Sequence, residues 1–135
     1  MPSPLLARSC SFPLTSEFSQ LLTDEMNRAS IPAKAGVILN FRDETYSPVR
    51  GGYHPVEIYI DPDGLILYIT DFRYVGLPPF AELVKELDFD FENRIFEHCG
   101  ESFPIEEGRE LFFLWQQNFL SYVKSGIFTV TTEEI

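Results

Sequence analysis

Residues 51–74 read GGYHPVEIYIDPDGLILYITDFRY, and this stretch decides the class of fold. Two runs rich in β-branched and aromatic side chains flank the tetrapeptide Asp61-Pro62-Asp63-Gly64. Proline presets the backbone angle of the first turn position, and glycine adopts the left-handed conformation that such a turn needs. The stretch therefore predicts a β-hairpin.

The turn allows two registers, and they place His54 differently. A Pro-Asp-Gly loop with a bulge at Gly64 pairs His54 with Phe72, whereas a four-residue loop pairs His54 with Asp71. Turn chemistry favours the bulged loop, although the four-residue loop gives a cleaner apolar face. If His54 faces Asp71, a carboxylate orients an imidazole as in general-base catalysis. The alternative is that both are ordinary residues at strand ends.

The rest of the chain alternates helical and extended patterns. A helix begins at Thr15 or Ser16 and ends before Pro32. The further elements expected are a strand at 36–42, a helix at 80–87, strands at 88–92 and 95–99, a long helix at 105–124 and a strand at 127–132. Hairpins mixed with helices indicate an α+β fold, with an antiparallel sheet of about four strands packed against the long C-terminal helix.

Length and composition indicate one domain. The chain has 135 residues, and 44% of them are hydrophobic. A core of this size can be stable without disulfide bonds or structural metal ions. We expect residues 1–14 to form a flexible N-terminal arm because they carry prolines and show no periodicity. Residues 15–132 then form the single α+β domain, and residues 133–135 form a tail.

The charge of the chain bears on its partners. The net charge is −11, and the basic footprint of nucleic-acid binding is missing, so direct nucleic-acid binding is not expected. In the segment DFDFE, alternation would turn Asp88, Asp90 and Glu92 outward as an acidic patch that binds a basic partner; the alternative is a solubilising surface. Apolar residues on both faces of the hairpin favour a protein partner or a homodimer.

Metal and cofactor signatures are weak in this sequence. The segment from Asp88 resembles a calcium loop, but Asn93 and Cys99 replace the glycine and glutamate that such a loop requires. Phosphate-loop and dinucleotide motifs are missing as well, so neither a metal nor a cofactor is expected. The start of the chain lacks signal-peptide features and no run is long enough to span a membrane. We therefore expect a cytoplasmic protein with two free cysteines.

These observations favour a non-catalytic function. The leading hypothesis is a protein-protein interaction or accessory module. The alternative is a small enzyme or ligand-binding domain with a pocket at the His54 end of the hairpin. The loop 43–52 would roof that pocket, and Glu57, Asp71 and Arg73 would supply its polar groups.

Several strings resemble a known family: NFRDETYS, GGYHPVEIYI, YITDFRYVG, ELDFDF and LWQQNFLSYVKSGIF. They are similar to a gammaproteobacterial family known as domain of unknown function 2787, often found near mobile genetic elements. The resemblance runs from Asn40 to Phe128. It implies a small, stand-alone, cytoplasmic bacterial protein, and it supplies no activity or catalytic residues.

Overall fold

The computed structural model describes residues 12–32 and 35–135. Within them, one antiparallel sheet contains seven strands in the order β6-β5-β4-β3-β2-β1-β7. The strands are β1 (Val37–Arg42), β2 (Val56–Ile60), β3 (Ile66–Val75), β4 (Glu82–Asp90), β5 (Ile95–His98), β6 (Glu101–Pro104) and β7 (Thr129–Glu134). The α-helices are α1 (Ser16–Arg28) and α2 (Arg109–Lys124), and a 3-10 turn (Ile105–Gly108) precedes α2.

The expected α+β class and the C-terminal helix are confirmed, but the expectation of about four strands is wrong. The main error lies at 80–87, where strand β4 replaces the expected helix. Val84 pairs with Arg73 and Leu87 pairs with Asp71, so both apolar residues share one face of the sheet. They are three residues apart because β4 contains a bulge at Glu86. An extra residue in a strand thus imitates helical spacing.

A two-residue connection accounts for another missed strand. Cys99 and Gly100 have positive φ angles of 50° and 87°, as a tight turn between antiparallel strands requires. Strands β5 and β6 pair across this turn. The sequence between 100 and 104 therefore continues the sheet, and Cys99 is a free, exposed thiol at the turn.

The central hairpin closes as the bulged loop predicts. The Asp61 N–H donates to the Leu65 carbonyl at 2.8 Å, and Gly64 has a φ of 83°. A second bulge at Leu67 then shifts the pairing by one more residue. The carbonyl of Leu67 instead accepts the N–H groups of Phe91 and Glu92, at 2.9 and 3.1 Å.

This second bulge makes both expected registers wrong beyond the turn. Val56, not Pro55 or His54, lies opposite Asp71. Val56 is the cross-strand partner of Asp71, and His54 lies two residues before Val56. His54 is therefore the diagonal neighbour of Asp71. Diagonal neighbours in an antiparallel pair lie within reach of long side chains.

The core lies on one face of the sheet, beneath α2. Phe89 packs edge-on against Phe112, with ring centroids 5.2 Å apart, and Phe41 packs against Phe119 at 4.9 Å. Helix α1 joins this layer through Phe18, which contacts both Trp115 and Phe119. The remaining buried side chains of the core are Phe12, Leu22, Val37, Leu39, Val56, Ile58, Ile60, Ile66, Ile69, Leu87, Phe91, Phe96 and Ile105.

The N-terminal boundary departs from the expected arm at its last residues. Residues 1–11 lie outside the described part of the chain, but Phe12 is buried and packs against Phe91 and Phe112. The Thr15 side chain caps α1 by accepting the Phe18 N–H. At the other end, β7 continues to Glu134, so the sheet includes residues assigned to a tail. Neither described helix has the length and apolar character needed to cross a bilayer.

Candidate functional site

Three polar side chains converge at the end of the hairpin that the sequence indicated. His54 Nδ1 lies 2.8 Å from Asp71 Oδ1 and 2.8 Å from Glu86 Oε2. His54 precedes β2, Asp71 lies in the middle of β3, and Glu86 is the bulge residue of β4. We call these three residues the polar triad.

The bulge in β4 explains why Glu86 belongs to the triad. In a regular strand, Glu86 and its neighbour Leu87 would face opposite sides of the sheet. A bulge re-aims a side chain, and Glu86 reaches the helix-covered face on which Leu87 and Asp71 lie. The Glu86 carbonyl still bonds into the sheet, since it accepts the Cys99 N–H at 2.8 Å.

Two aromatic residues hold the triad in place. The Trp115 indole donates to Asp71 Oδ2 at 3.0 Å, which leaves Oδ1 directed at His54. The Tyr46 ring stacks on the His54 ring, with centroids 5.7 Å apart and planes 19° from parallel. The Tyr46 hydroxyl in turn accepts the Tyr74 N–H at 3.0 Å. The stacked Tyr46 ring and the Asp71 carboxylate therefore fix the orientation of the imidazole.

The electrostatics of the triad favour a charged imidazole. The hydrogen bond to Asp71 raises the pKa of His54 above its usual 6.5, and the charges of Asp71 and Glu86 act in the same direction. Burial and the nearby Arg73 oppose this rise in the pKa but do not cancel it. Arg73 Nε lies 3.9 Å from Glu86 Oε1 and is buried without a hydrogen bond among the described residues.

In the triad, two carboxylate acceptors contact the same nitrogen, His54 Nδ1. Nδ1 carries at most one proton, so Asp71 and Glu86 must share it. The other ring nitrogen, Nε2, makes no hydrogen bond within the described part of the chain and is not buried. The side chain of His54 is 34% exposed, whereas that of Asp71 is 13% exposed. The imidazole thus presents its second nitrogen to the outside while the carboxylates hold the first.

A cavity of about 350 Å³ adjoins His54. It lies between the start of β2 and helix α2. The residues that line it are Gly52, Tyr53, His54, Val56, Asp71, Trp115, Asn118, Phe119, Tyr122 and Phe128. Its walls are mainly aromatic and its polar groups gather at the triad, a combination typical of small-molecule sites.

The other residues proposed from the sequence lie differently. Glu57 faces the opposite side of the sheet, where it accepts the Tyr68 hydroxyl at 2.5 Å. Arg73 lies beside the triad and contacts it through Glu86. The loop 43–52 contributes Gly52 and the Tyr46 stack, but α2 forms most of the roof over the cavity.

The three acids expected to form a patch do not share one exposed surface. Asp88 is only 5% exposed, because it accepts the Thr70 hydroxyl at 2.8 Å and pairs with Lys85 at 3.3 Å. Burial raises the pKa of Asp88, against the lowering effect of these two partners. Asp90 accepts bonds from Asn93 in the following turn. Glu92 is the exposed member of the set.

Sequence reasoning missed Glu86, Trp115 and Tyr46. Glu86 fell within the segment expected to be helical, and a bulge leaves no separate signal in one sequence. Trp115 is the chain's single tryptophan, and a buried indole N–H needs an acceptor. That requirement could have directed attention from Trp115 to a carboxylate of the facing strands.

The family model for a protein of unknown function, DUF2787, matches residues 16–133. The chain belongs to this family. Among proteins with curated descriptions, none matches it. The family assignment confirms the resemblance seen in the sequence strings, and it brings no established activity.

Two solved structures from Vibrio cholerae are similar to this chain. The conserved hypothetical protein VC1805, from pathogenicity island VPI-2, is 39% identical with a TM-score of 0.77; the match covers 90% of this chain and 95% of that one. That protein is described as sharing structural homology with the human P32 protein. The hypothetical protein VC0508, from pathogenicity island VSP-II, is 31% identical with a TM-score of 0.76, and the match covers 91% and 95% of the two chains.

Proposed function

We propose that this protein is a small-molecule-binding domain whose ligand occupies the cavity between α2 and the central hairpin. One observation carries the proposal: an imidazole held on Nδ1 by two carboxylates lines an aromatic-walled cavity, and its Nε2 has no hydrogen-bond partner among the described residues. A volume of about 350 Å³ falls within the usual range for small-molecule sites. This ligand-binding alternative has better geometric support than the interaction module favoured from the sequence.

The lining indicates the chemistry of the ligand. Trp115, Phe119 and Tyr122 supply ring surfaces on the helix side, and such surfaces favour a flat, aromatic molecule. His54 Nε2 offers a hydrogen-bond donor when the imidazole is charged, and an acceptor when the ring is neutral with its proton on Nδ1. The Asn118 amide adds both a donor and an acceptor at the cavity. A planar heteroaromatic molecule that carries an N–H or O–H group satisfies all of these features.

Binding is also the first requirement of the enzyme alternative. An imidazole oriented by a carboxylate, with its second nitrogen accessible, is the arrangement of a general base. In that case His54 Nε2 would take a proton from the bound molecule. Ligand binding therefore comes first in any experimental sequence.

The test is a ligand-observed NMR screen with a panel of small heteroaromatic compounds. Asn118→Trp places a large side chain in the cavity and should abolish binding of the compounds that the wild type binds. Gln117→Trp is the matched control, because the neighbouring Gln117 is exposed and does not line the cavity. Equal binding by both variants, or no binding by the wild type, would overturn the proposal.

A second candidate is a protein-contact function for the β3–β4 turn. Leu77 and Phe80 are 78% and 85% exposed, and exposed apolar side chains of this size are typical of contact sites. The net charge of −11 disfavours a second copy of the chain and favours a partner with a basic surface. The candidate partner is therefore a basic protein with an apolar pocket that receives these side chains.

This second candidate is tested by site-specific photo-crosslinking in the native host. A crosslinker at position 80 should capture one dominant partner of basic pI, and Leu77→Ser should reduce its yield. The control position is Leu114, which is also exposed but lies on α2. The same products from both positions would contradict a contact at the turn.

A further inference from the structure

The polar triad also has the donor set of a metal site. Its three ligand atoms lie within 4.8 Å of one another. We propose that His54 Nδ1, Asp71 Oδ1 and Glu86 Oε2 bind a divalent transition-metal ion. This inference shares residues with the proposed small-molecule site, but it does not depend on the aromatic cavity being filled.

The distances fit a common metal centre. Donor atoms about 2.1 Å from a metal and separated by roughly 90 to 109° lie about 3.0 to 3.4 Å from each other. His54 Nδ1 lies 2.8 Å from both carboxylate oxygens. Widening each of these two nitrogen–oxygen pairs by a few tenths of an ångström would bring them to metal-binding separations. The ion would then take the place of the shared proton at Nδ1. A charged ring would release that proton to solvent and keep its Nε2 proton, whereas a neutral ring would carry its single proton on Nε2 instead.

The surrounding charge favours a cation. Asp71 and Glu86 carry two negative charges and Arg73 carries one positive charge, so the sum around a neutral imidazole is −1. Arg73 approaches Glu86 at Oε1, whereas the proposed ligand atom is Oε2. The arginine therefore leaves the metal-facing oxygen accessible.

Residues outside the triad orient the ligands as they do in known metal sites. The Trp115 N–H donates to Asp71 Oδ2, and the Tyr46 ring stacks on His54. Such outer contacts fix the ligand geometry, and their loss typically costs about 10- to 100-fold in metal affinity. An imidazole with two carboxylates suits zinc and its first-row neighbours rather than calcium or magnesium. Three protein ligands also leave a coordination position open.

Calorimetric titration of the metal-free full chain with zinc chloride tests the site. We expect binding of one zinc ion per chain, and Trp115→Phe should weaken it by about tenfold or more. His54→Ala, Asp71→Asn and Glu86→Gln should each weaken it further. Circular dichroism and urea unfolding identify any variant that fails to fold. If some variants fail, the result is decided by the two mildest changes, Trp115→Phe and Glu86→Gln.

Two control variants separate this site from adventitious binding. Glu57→Gln removes a carboxylate from the opposite face of β2, and His98→Ala removes a histidine near the exposed Cys99. Both should keep the wild-type affinity. No zinc binding by the wild type, or equal losses in the control and triad variants, would overturn the proposal.

Cobalt substitution gives an independent readout. Cobalt(II) bound by one nitrogen and two oxygen donors absorbs weakly in the visible and lacks the strong near-ultraviolet band of a thiolate complex. A thiolate band would assign the metal to cysteine and contradict the triad.

The zinc experiment and the ligand experiment have independent outcomes. Asn118→Trp should abolish binding of the heteroaromatic compounds while zinc affinity stays unchanged, because Asn118 is not a member of the triad. Heteroaromatic binding by a wild type that does not bind zinc would refute the metal site alone. Zinc binding by a wild type that binds no compound would refute the small-molecule site alone.

Discussion

Two polar clusters lie on opposite faces of the same pair of strands, β3 and β4, and they are organised differently. On the outer face, Asp88 has its own partner for each oxygen, with Thr70 at 2.8 Å and Lys85 at 3.3 Å. On the helix-covered face, Asp71 and Glu86 compete for one nitrogen of His54. In the outer cluster, both oxygens of Asp88 have partners and the cluster stabilises the sheet. In the polar triad, two carboxylates share one nitrogen, so the triad can still bind a further ligand.

Position relative to α2 explains this difference. Neither of the two described helices lies over the outer face, and its polar groups pair with one another across neighbouring strands. The triad lies where α2 covers the sheet but leaves a cavity. Trp115 satisfies one oxygen of Asp71, and no side chain in residues 12–32 or 35–135 satisfies His54 Nε2. A polar group that the described residues leave unpaired beside a cavity is available to a ligand.

The largest expected effect comes from breaking the helix contact of the triad. Trp115→Ala should lower the free energy of unfolding by about 3–5 kcal/mol, because it leaves a cavity among Phe18, Phe89 and Phe119. Trp115→Phe keeps most of the ring and removes the donor to Asp71, and it should cost about 1–3 kcal/mol. Urea unfolding monitored by circular dichroism measures both. A Phe variant as stable as the wild type would show that the indole does not satisfy Asp71.

The outer cluster provides the next test. Thr70→Val removes the hydroxyl that Asp88 accepts, and leaving a buried acceptor unsatisfied should cost about 1–3 kcal/mol. Asp88→Asn retains an oxygen that can accept this bond and removes a buried charge, so its cost should be smaller. The same unfolding experiment compares the two variants. A larger loss for Asp88→Asn would mean that the charge, rather than the hydrogen bond, stabilises the outer cluster.

The two clusters should also respond to pH in separate ranges. Burial raises the pKa of Asp88 above its usual 3.8, so its charged form penalises the folded state as pH rises through the folded-state pKa. Asp88→Asn should therefore gain stability relative to the wild type across that acidic range. The comparison is measured as the difference in unfolding free energy between variant and wild type at each pH. A flat difference curve would contradict the burial of the charge.

The triad should give the matching effect near neutral pH. The raised pKa of His54 means that its stabilisation is complete below its usual 6.5 and is lost as pH rises through the folded-state pKa. His54→Gln should be less stable than the wild type below pH 6.5, and the gap should narrow above it. A gap that is constant across this range would show that the carboxylates do not stabilise the imidazolium.

The sequence predicts the local features well and the long-range ones poorly. The turn at Asp61–Gly64 and the cap at Thr15 follow from residue preferences that act within a few positions. The bulges at Leu67 and Glu86 depend on contacts between strands, so one sequence does not reveal them. Both bulges determine the register, and the bulge at Glu86 made the β4 segment look helical.

The candidate site illustrates the same division. One sequence-derived register placed His54 beside Asp71, and the two side chains do meet, but through a diagonal contact in a third register. Glu57 was expected among the polar groups of this pocket, but strand alternation turns it to the other face. Glu86 and Trp115 join the site only through tertiary packing, from β4 and α2.

The most direct test of the account is an NMR titration of the His54 imidazole in metal-free protein. We expect a His54 pKa above 6.5, which both Asp71→Asn and Glu86→Gln lower, while Glu57→Gln leaves it unchanged. A His54 pKa at or below 6.5 that neither triad substitution moves would show that the two carboxylates do not share its nitrogen, and the central claim would be wrong.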